Sequence, residues 1–160
     1  MAYLLDADTF IQAKNGPYRF SVCPAYWDWL DREHANGKIF SVERIYDELM
    51  AREDDLSDWI ENRESIFLPP DEDTHESLKL LSEWATKKYL PEGYSEFFAS
   101  GDYMLVGHAI GRSFTVVTHE RAANSKAKVK IPNACEPFAV PCINPFELLQ
   151  RENASFVLGS

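Results

Sequence analysis

Short apolar runs alternate with amphipathic helical stretches along this chain, and that alternation constrains its fold more than any other feature. The run Tyr3-Leu4-Leu5 leads directly into Asp6-Ala7-Asp8-Thr9, which is typical of a buried strand followed by a helix. The segment 114–118 is rich in β-branched residues and ends in the polar pair His119-Glu120. Strands separated by helices predict a parallel sheet covered on both faces, a three-layer α/β/α architecture.

The same patterns predict the remaining elements. Further strands are expected at 38–40 and 139–143, with a brief strand or extended run at 66–68. The expected helices begin near residue 8 and span 24–37, 42–51, 55–64, 74–90, 101–111 and 145–152. Ser41 is expected to cap the helix that begins at Val42, and Pro91 with Gly93 to close the one before them.

Length and charge limit the class of protein. A chain of 160 residues with 45% hydrophobic content can bury one ordinary core, so a single domain over 1–160 is expected. The net charge of -10 excludes a protein that grips nucleic acid over most of its surface. The three cysteines form no CxxC motif, and Asp6 soon interrupts the first apolar run. These features indicate a cytoplasmic protein without a zinc site, signal peptide or membrane span.

Acidic residues collect where the predicted strands end. Asp6 and Asp8 follow the first strand, Glu48 follows the second, Asp102 opens a helix and Glu120 follows the strand at 114–118. In an open parallel sheet, the working site lies outside the carboxyl ends of the strands. Crowded carboxylates repel one another and need a compensating cation. Ligands that are all oxygen select Mg²⁺ or Mn²⁺, which can activate a water molecule against a phosphodiester.

Most of these acids also have a structural interpretation. Asp8 suits a helix N-cap, Asp102 suits the positive end of a helix dipole, and Glu120 suits a solvated turn. Glu48 lies on the apolar stripe of its helix and is therefore expected to be buried. Buried acids are rare unless they are paired or bound to metal, so Glu48 favours the metal interpretation.

Four short motifs, in this order, resemble those of PIN-domain nucleases. They read YLLDADTFI, SVERIYDEL, GDYMLVGHA and TVVTHE, and they span residues 3–120. The resemblance implies a PIN-like fold and metal-dependent cleavage of single-stranded RNA. It also implies that the catalytic residues and metal ligands are Asp6, Glu48, Asp102 and Glu120. Asp8 and Thr118 would be supporting polar groups.

The motifs depart from the PIN pattern at two positions. The third motif of the family more often has alanine where this chain has Gly101, and the fourth usually has aspartate in place of Glu120. Small PIN proteins of this kind are often the toxins of toxin–antitoxin pairs. The resemblance therefore implies a toxin role, and the protein partners to expect are an antitoxin and a second copy of the chain.

One dense basic stretch follows Glu120 directly. It contains no acid, and its cations are Arg121, Lys126, Lys128 and Lys130. Such a patch on an acidic protein suits contact with RNA phosphates, although a solvated loop is the alternative. Arg44 lies one helical turn before Glu48 and is a further RNA-binding candidate, or else a partner for a carboxylate.

Two other functions compete with RNA cleavage. The sequence Asp6-Ala7-Asp8 also resembles the nucleophile motif of haloacid-dehalogenase phosphatases, but Phe10 and Val106 stand where that family needs other residues. The second alternative is a non-catalytic PIN-like module that binds RNA or protein. His108 is expected to be a core or boundary residue. The aromatic residues on the predicted helices, among them Trp29, are expected to pack in the core, and a partner-binding surface is the alternative for Trp29.

Overall fold

A five-stranded parallel sheet runs through the computed structural model, which describes residues 1–159. The strands are β1 (Tyr3–Leu5), β2 (Ile39–Val42), β3 (Phe67–Leu68), β4 (Thr115–Val117) and β5 (Cys142–Ile143). Their order across the sheet is β3-β2-β1-β4-β5, and every neighbouring pair is parallel. The chain builds outward from β1 to β3 and then adds β4 and β5 on the other side. The topological switch point therefore lies between β1 and β4.

Helices cover the sheet within the described range. They are α1 (Ala7–Asn15), α2 (Pro24–Ala35), α3 (Glu43–Met50), α4 (Asp55–Ile60), α5 (Glu72–Lys88), α6 (Pro91–Phe98), α7 (Gly101–Arg112), α8 (Ile131–Cys135) and α9 (Pro145–Arg151). Every residue of β1 and β4 is buried, as expected for central strands with both faces covered. The predicted α/β class with a central parallel sheet is confirmed. The predicted domain boundary at Ser160 lies outside the described residues.

The core lies between the central strands and the helices that follow them. Leu4, Leu5 and Val116 are completely buried, and Ile45 and Leu49 pack their helix, α3, into the same core. His108 of α7 is also completely buried, as expected. Trp29 is only 4% exposed, so it packs in the core as expected, and the alternative of a partner-binding surface is wrong. No helix within residues 1–159 has the length and apolar character needed to span a membrane.

Neither Asp8 nor Ser41 caps a helix, because α1 begins at Ala7, before Asp8, and β2 extends to Val42. Helix α1 begins at Ala7, and its N-cap is Asp6, whose side chain accepts a hydrogen bond from the Thr9 amide. Asp8 therefore lies in the first helical turn. Ser41 is part of β2, and its hydroxyl donates to the Leu5 carbonyl at 2.7 Å. It ties β2 to β1 instead of capping α3.

The region around Pro91 also differs from prediction, since Pro91 and Gly93 begin α6. The fixed φ of proline suits a first helical position as well as it suits a stop. A Cβ on Gly93 would lie 2.9 Å from the Ala127 carbonyl oxygen, so glycine lets α6 pack closely against the basic stretch. Strand β5 is shorter than predicted because Ala139 has a φ of 54° and ends a 3₁₀ turn.

Candidate functional site

Asp6 occupies the switch point, where β1 ends beside β4. Its backbone N–H donates to the Val117 carbonyl at 3.1 Å, and the residue is 2% exposed. The amide and hydroxyl of Thr9 both donate to one carboxylate oxygen at 2.7 Å, and the Thr118 hydroxyl donates to the other at 2.6 Å. Burial raises the pKa of Asp6 to about 6, although these hydrogen bonds oppose the rise. The carboxylate is therefore held in one orientation.

Glu48 is exposed, so the prediction that it is buried is wrong. Ile45 and Leu49 point into the core, as the helical stripe predicts, but Glu48 lies at the edge of that stripe. Its Oε1 accepts a hydrogen bond from the Gly101 amide at 2.7 Å. The first amides of a helix have no partner within the helix, so a carboxylate stabilises them. Glu48 thus connects α3 to the start of α7.

The close contact between α3 and α7 explains why glycine stands at position 101. A Cβ there would lie 2.7 Å from Cγ1 of Ile45 and 3.1 Å from Oε1 of Glu48. The alanine that is common in PIN motifs would require Ile45 to move. Glycine at position 101 therefore allows Ile45 and Glu48 to lie close to the start of α7.

Asp102 lies beside a small cleft of about 120 Å³ whose lining also includes Ser100, Glu120 and Lys128. Its pKa is raised to about 7, first by burial and then by the charges of Glu120, Asp6 and Glu48, while Lys128 opposes the rise. Among residues 1–159, no group donates a hydrogen bond to this carboxylate. The structure thus brings the predicted acids close enough to act on Asp102.

Glu120 reaches from the end of β4 to another helix. Its backbone N–H donates to the Thr118 hydroxyl at 3.0 Å, and its Oε2 accepts a hydrogen bond from the Ile131 amide at 3.2 Å. Ile131 is the first residue of α8. The extra methylene of glutamate, compared with the usual aspartate, spans this distance. Thr118 links Glu120 to Asp6, as its predicted supporting role requires.

Asp8 lies at the margin of the acid cluster, a name used here for Asp6, Glu48, Asp102 and Glu120. Its contact is a long hydrogen bond, 3.5 Å, from the Gln12 amide. Its charge raises the pKa of Asp6, so it adds to the negative potential of the cluster. The more intimate supporting group is Thr9, which sequence reasoning missed. Its position three residues after Asp6 is the usual spacing for a capped helix start.

Residues 3–156 match the model of DUF4411, a family described as a domain of unknown function. The chain belongs to this family. The match includes all five strands and the whole acid cluster. No curated protein and no solved structure matches the chain. Since the DUF4411 description assigns no chemistry, function has to be inferred from the site.

Four of the predicted RNA-binding residues of this DUF4411 protein are exposed, Lys130 is half-buried, and Lys128 is in the cleft beside Asp102. The Leu90 amide donates to the Lys126 carbonyl at 2.8 Å and anchors this part of the basic stretch. Within the described range, none of the five predicted cations forms an ion pair. Arg44 donates to the Ala99 carbonyl at 3.0 Å, so it does not pair with a carboxylate.

Whether the acid cluster fits a divalent metal depends on its donor chemistry and on its arrangement. In the part of the chain that the structure describes, no group of three or more His, Cys, Asp or Glu side chains is already arranged to hold a metal ion. The donors are all carboxylate oxygens, however, and within residues 1–159 the Asp102 carboxylate accepts no hydrogen bond. Hard cations prefer such oxygens. The chemistry of the cluster's donors therefore suits Mg²⁺ or Mn²⁺. Within the described residues, the side chains are not arranged as a coordination shell.

Proposed function

We propose that this DUF4411 protein is a metal-dependent endoribonuclease that hydrolyses phosphodiesters of single-stranded RNA at the acid cluster. One observation carries the proposal: segments far apart in the chain bring the carboxylates of Asp6, Glu48, Asp102 and Glu120 together, where their charges repel one another, and within residues 1–159 no group donates a hydrogen bond to the Asp102 carboxylate. A fold gains nothing from such repulsion, because separated or paired acids would be more stable. Binding of a cation explains why these charges are kept together.

The residues that would hold Mg²⁺ or Mn²⁺ are Asp6, Glu48, Asp102 and Glu120. When bound, such an ion supplies a water molecule of lowered pKa and offsets negative charge on the phosphate. The chain's own contribution is orientation: Thr9 and Thr118 fix Asp6, while the Gly101 amide fixes Glu48. With a pKa of about 7, Asp102 is only partly ionised near neutral pH in the metal-free protein, and binding of the ion would favour its ionised form.

The surroundings of the acid cluster suit a nucleic-acid backbone, and the resemblance to PIN-domain nucleases points to single-stranded RNA. The acid cluster adjoins a cleft of about 120 Å³ beside Asp102. Lys128 lines this cleft and Arg121 follows Glu120 directly, and neither cation has an ion pair within residues 1–159. Contacts of such cations with phosphates replace counterions of the nucleic acid and supply affinity.

The phosphatase alternative is less well supported, because Phe10 and Val106 stand where the haloacid-dehalogenase motifs need other residues. The role of toxin, the antitoxin and second-copy partners and the cytoplasmic location extend the proposal through the resemblance to small PIN-domain nucleases. An antitoxin gene next to the gene for this chain would support that extension.

The proposal is tested by incubating a mixed pool of single-stranded RNA with the protein and Mg²⁺ or Mn²⁺. Glu48→Gln should reduce cleavage by more than about 100-fold, because the metal loses a charged ligand. The fold should persist, since Glu48 is exposed and glutamine still accepts the Gly101 hydrogen bond. Glu43→Gln is the matched control, because Glu43 is an exposed glutamate on the same helix.

Two results would contradict the proposal. Full activity in a folded Glu48→Gln variant would remove Glu48 from the mechanism. Absence of cleavage by the unmodified protein, with both metals and across RNA pools, would favour the non-catalytic binding module.

A further inference from the structure

A second cavity lies beside the acid cluster, between α1 and α9. Its volume is about 120 Å³. Aromatic and proline side chains form much of its lining: Tyr18, Tyr26, His119, Pro145 and Phe146. Gln12 stands among them with an exposed amide, and Phe146 is 53% exposed. The cavity is therefore largely apolar and in contact with solvent.

The cavity shares residues with the acid cluster. Thr9 lines the cavity, and its hydroxyl donates to Asp6 at 2.7 Å. His119 also lines the cavity and stands between Thr118 and Glu120, which both take part in the hydrogen bonds of the cluster. An RNA strand with a phosphate at the cluster would thus have a neighbouring base within reach of the cavity.

Phe146 separates this cavity from a wider depression of about 410 Å³. The depression shares His119 and Phe146 with the cavity and also contains Glu120 and Arg121. The His119 and Phe146 rings meet edge to face, with their centroids 6.0 Å apart. A backbone could follow the depression past Arg121 while one base turns across Phe146 into the cavity.

The lining suits a nucleobase better than a protein segment. A base offers a flat face for aromatic stacking and a polar edge for hydrogen bonding, and both kinds of partner are present. The amide of Gln12 is available for such a bond, since its hydrogen bond to Asp8 is long, at 3.5 Å. An α-helix, at roughly 10 Å across, is too wide for a cavity of this size.

We propose that this cavity, the base pocket, binds one unstacked nucleobase of the RNA strand, next to the phosphate at the acid cluster. The inference rests on the proposed function and adds a specificity site to it. A six-membered ring fills the small volume better than a fused double ring, so a pyrimidine is preferred. Stacking on Phe146 supplies binding, and Gln12 reads the edge of the base.

The test is a binding experiment with short RNAs in which one base at a time is removed. Affinity is measured by fluorescence anisotropy with chelator, so that metal-dependent cleavage does not occur. Loss of the base at one position should weaken binding to the unmodified protein by about five- to 150-fold. Phe146→Ala should bind the intact RNA correspondingly less well and become insensitive to that position.

Two further variants test the role of Gln12 and provide a control. Gln12→Ala should weaken the preference for a pyrimidine at the same position, and its side chain is exposed, so folding is not at risk. Leu80→Ala is the matched control, because Leu80 is also 53% exposed but lies on α5, outside the base pocket. It should bind intact and base-deleted RNAs like the unmodified protein.

The outcomes separate the two proposals. A flat base-deletion profile, or equal sensitivity in Phe146→Ala, would overturn the base pocket while leaving RNA cleavage at the acid cluster intact. A cavity that serves a protein partner would give that flat profile. A protein that neither binds nor cleaves any RNA would overturn both proposals together.

Discussion

The two ends of strand β1 differ in whether a nearby carboxylate is paired with a cation. At the amino end, Glu152 accepts hydrogen bonds from Lys38 and from the Tyr3 hydroxyl, both at 2.7 Å. The Lys38 bond and then the Tyr3 bond lower the pKa of Glu152. At the carboxyl end, burial raises the pKa of Asp6 to about 6, and the other acids of the cluster lie nearby.

This difference separates a structural charge from one kept for a ligand. Glu152 is paired with Lys38 in the folded chain, so the charge at the amino end needs no added ligand. Asp6 has hydroxyl and amide donors, but the charges acting around it are mainly negative. The carboxyl end of the same strand is stabilised by hydrogen bonds and destabilised by repulsion, which an added cation would relieve.

The largest expected effect is stabilisation by metal at the carboxyl end. Added Mn²⁺ at about 100 times its Kd should stabilise the fold by about 2.7 kcal/mol and raise the unfolding temperature by about 5–10 °C. The double variant Asp6→Asn with Asp102→Asn should lose this rise, since its cluster lacks the charge to hold the ion. Glu152→Gln, at the amino end, should keep it. Thermal unfolding followed by circular dichroism, with and without chelator, measures all three.

An equal rise in the double variant would place the ligands elsewhere in the chain. Identical unfolding curves for the unmodified protein with excess Mn²⁺ and with chelator would argue against any metal site at the carboxyl end.

A smaller effect is expected in the pH dependence of the metal-free protein. Asp102 has a pKa of about 7, above its ordinary value of 3.8, so the folded state binds more protons than the unfolded state. The associated stability is present below about pH 4 and is lost as pH rises towards 7. Asp102→Asn should therefore raise the unfolding temperature at pH 8 by about 2–5 °C and have less effect at pH 5.

Glu152 should give the opposite trend, because its pKa is lowered. Its stability is present above its ordinary pKa and is lost as pH falls through the lower value of the folded state. Unfolding temperatures of Asp102→Asn and Glu152→Gln between about pH 3 and 8 compare the two ends directly. An Asp102→Asn variant that is less stable than the unmodified protein at pH 8 would mean that Asp102 is paired.

The sequence was informative where a functional position follows from local pattern. Asp6 directly follows a buried strand and Glu120 ends the polar segment after another, so both had to lie near the carboxyl edge of a parallel sheet. The pairing at the amino end could not be predicted in this way. Tyr3 and Lys38 lie 149 and 114 positions from Glu152, and no local periodicity connects them.

Glu48 and the base pocket mark the limits of such prediction. The stripe of α3 identified the side that faces the core, but burial at the edge of a stripe depends on the next helix, here α7. The base pocket requires α1 and α9 to come together around His119, which is a consequence of packing. Pro91 was ambiguous for a different reason, since proline suits both the end of one helix and the start of the next.

The smallest expected effect comes from breaking the amino-end pair. Lys38→Met keeps much of the side-chain length but leaves Glu152 with the Tyr3 hydroxyl as its remaining partner. The unfolding temperature should fall by about 2 °C, because the ion pair is partly exposed to solvent. Lys126→Met is the matched control, since Lys126 is exposed and has no ion pair within residues 1–159. The response to Mn²⁺ should be unchanged in both variants. If Lys38→Met altered that response, the two ends of β1 would be coupled, and the separation between a structural charge and a ligand-binding charge would fail.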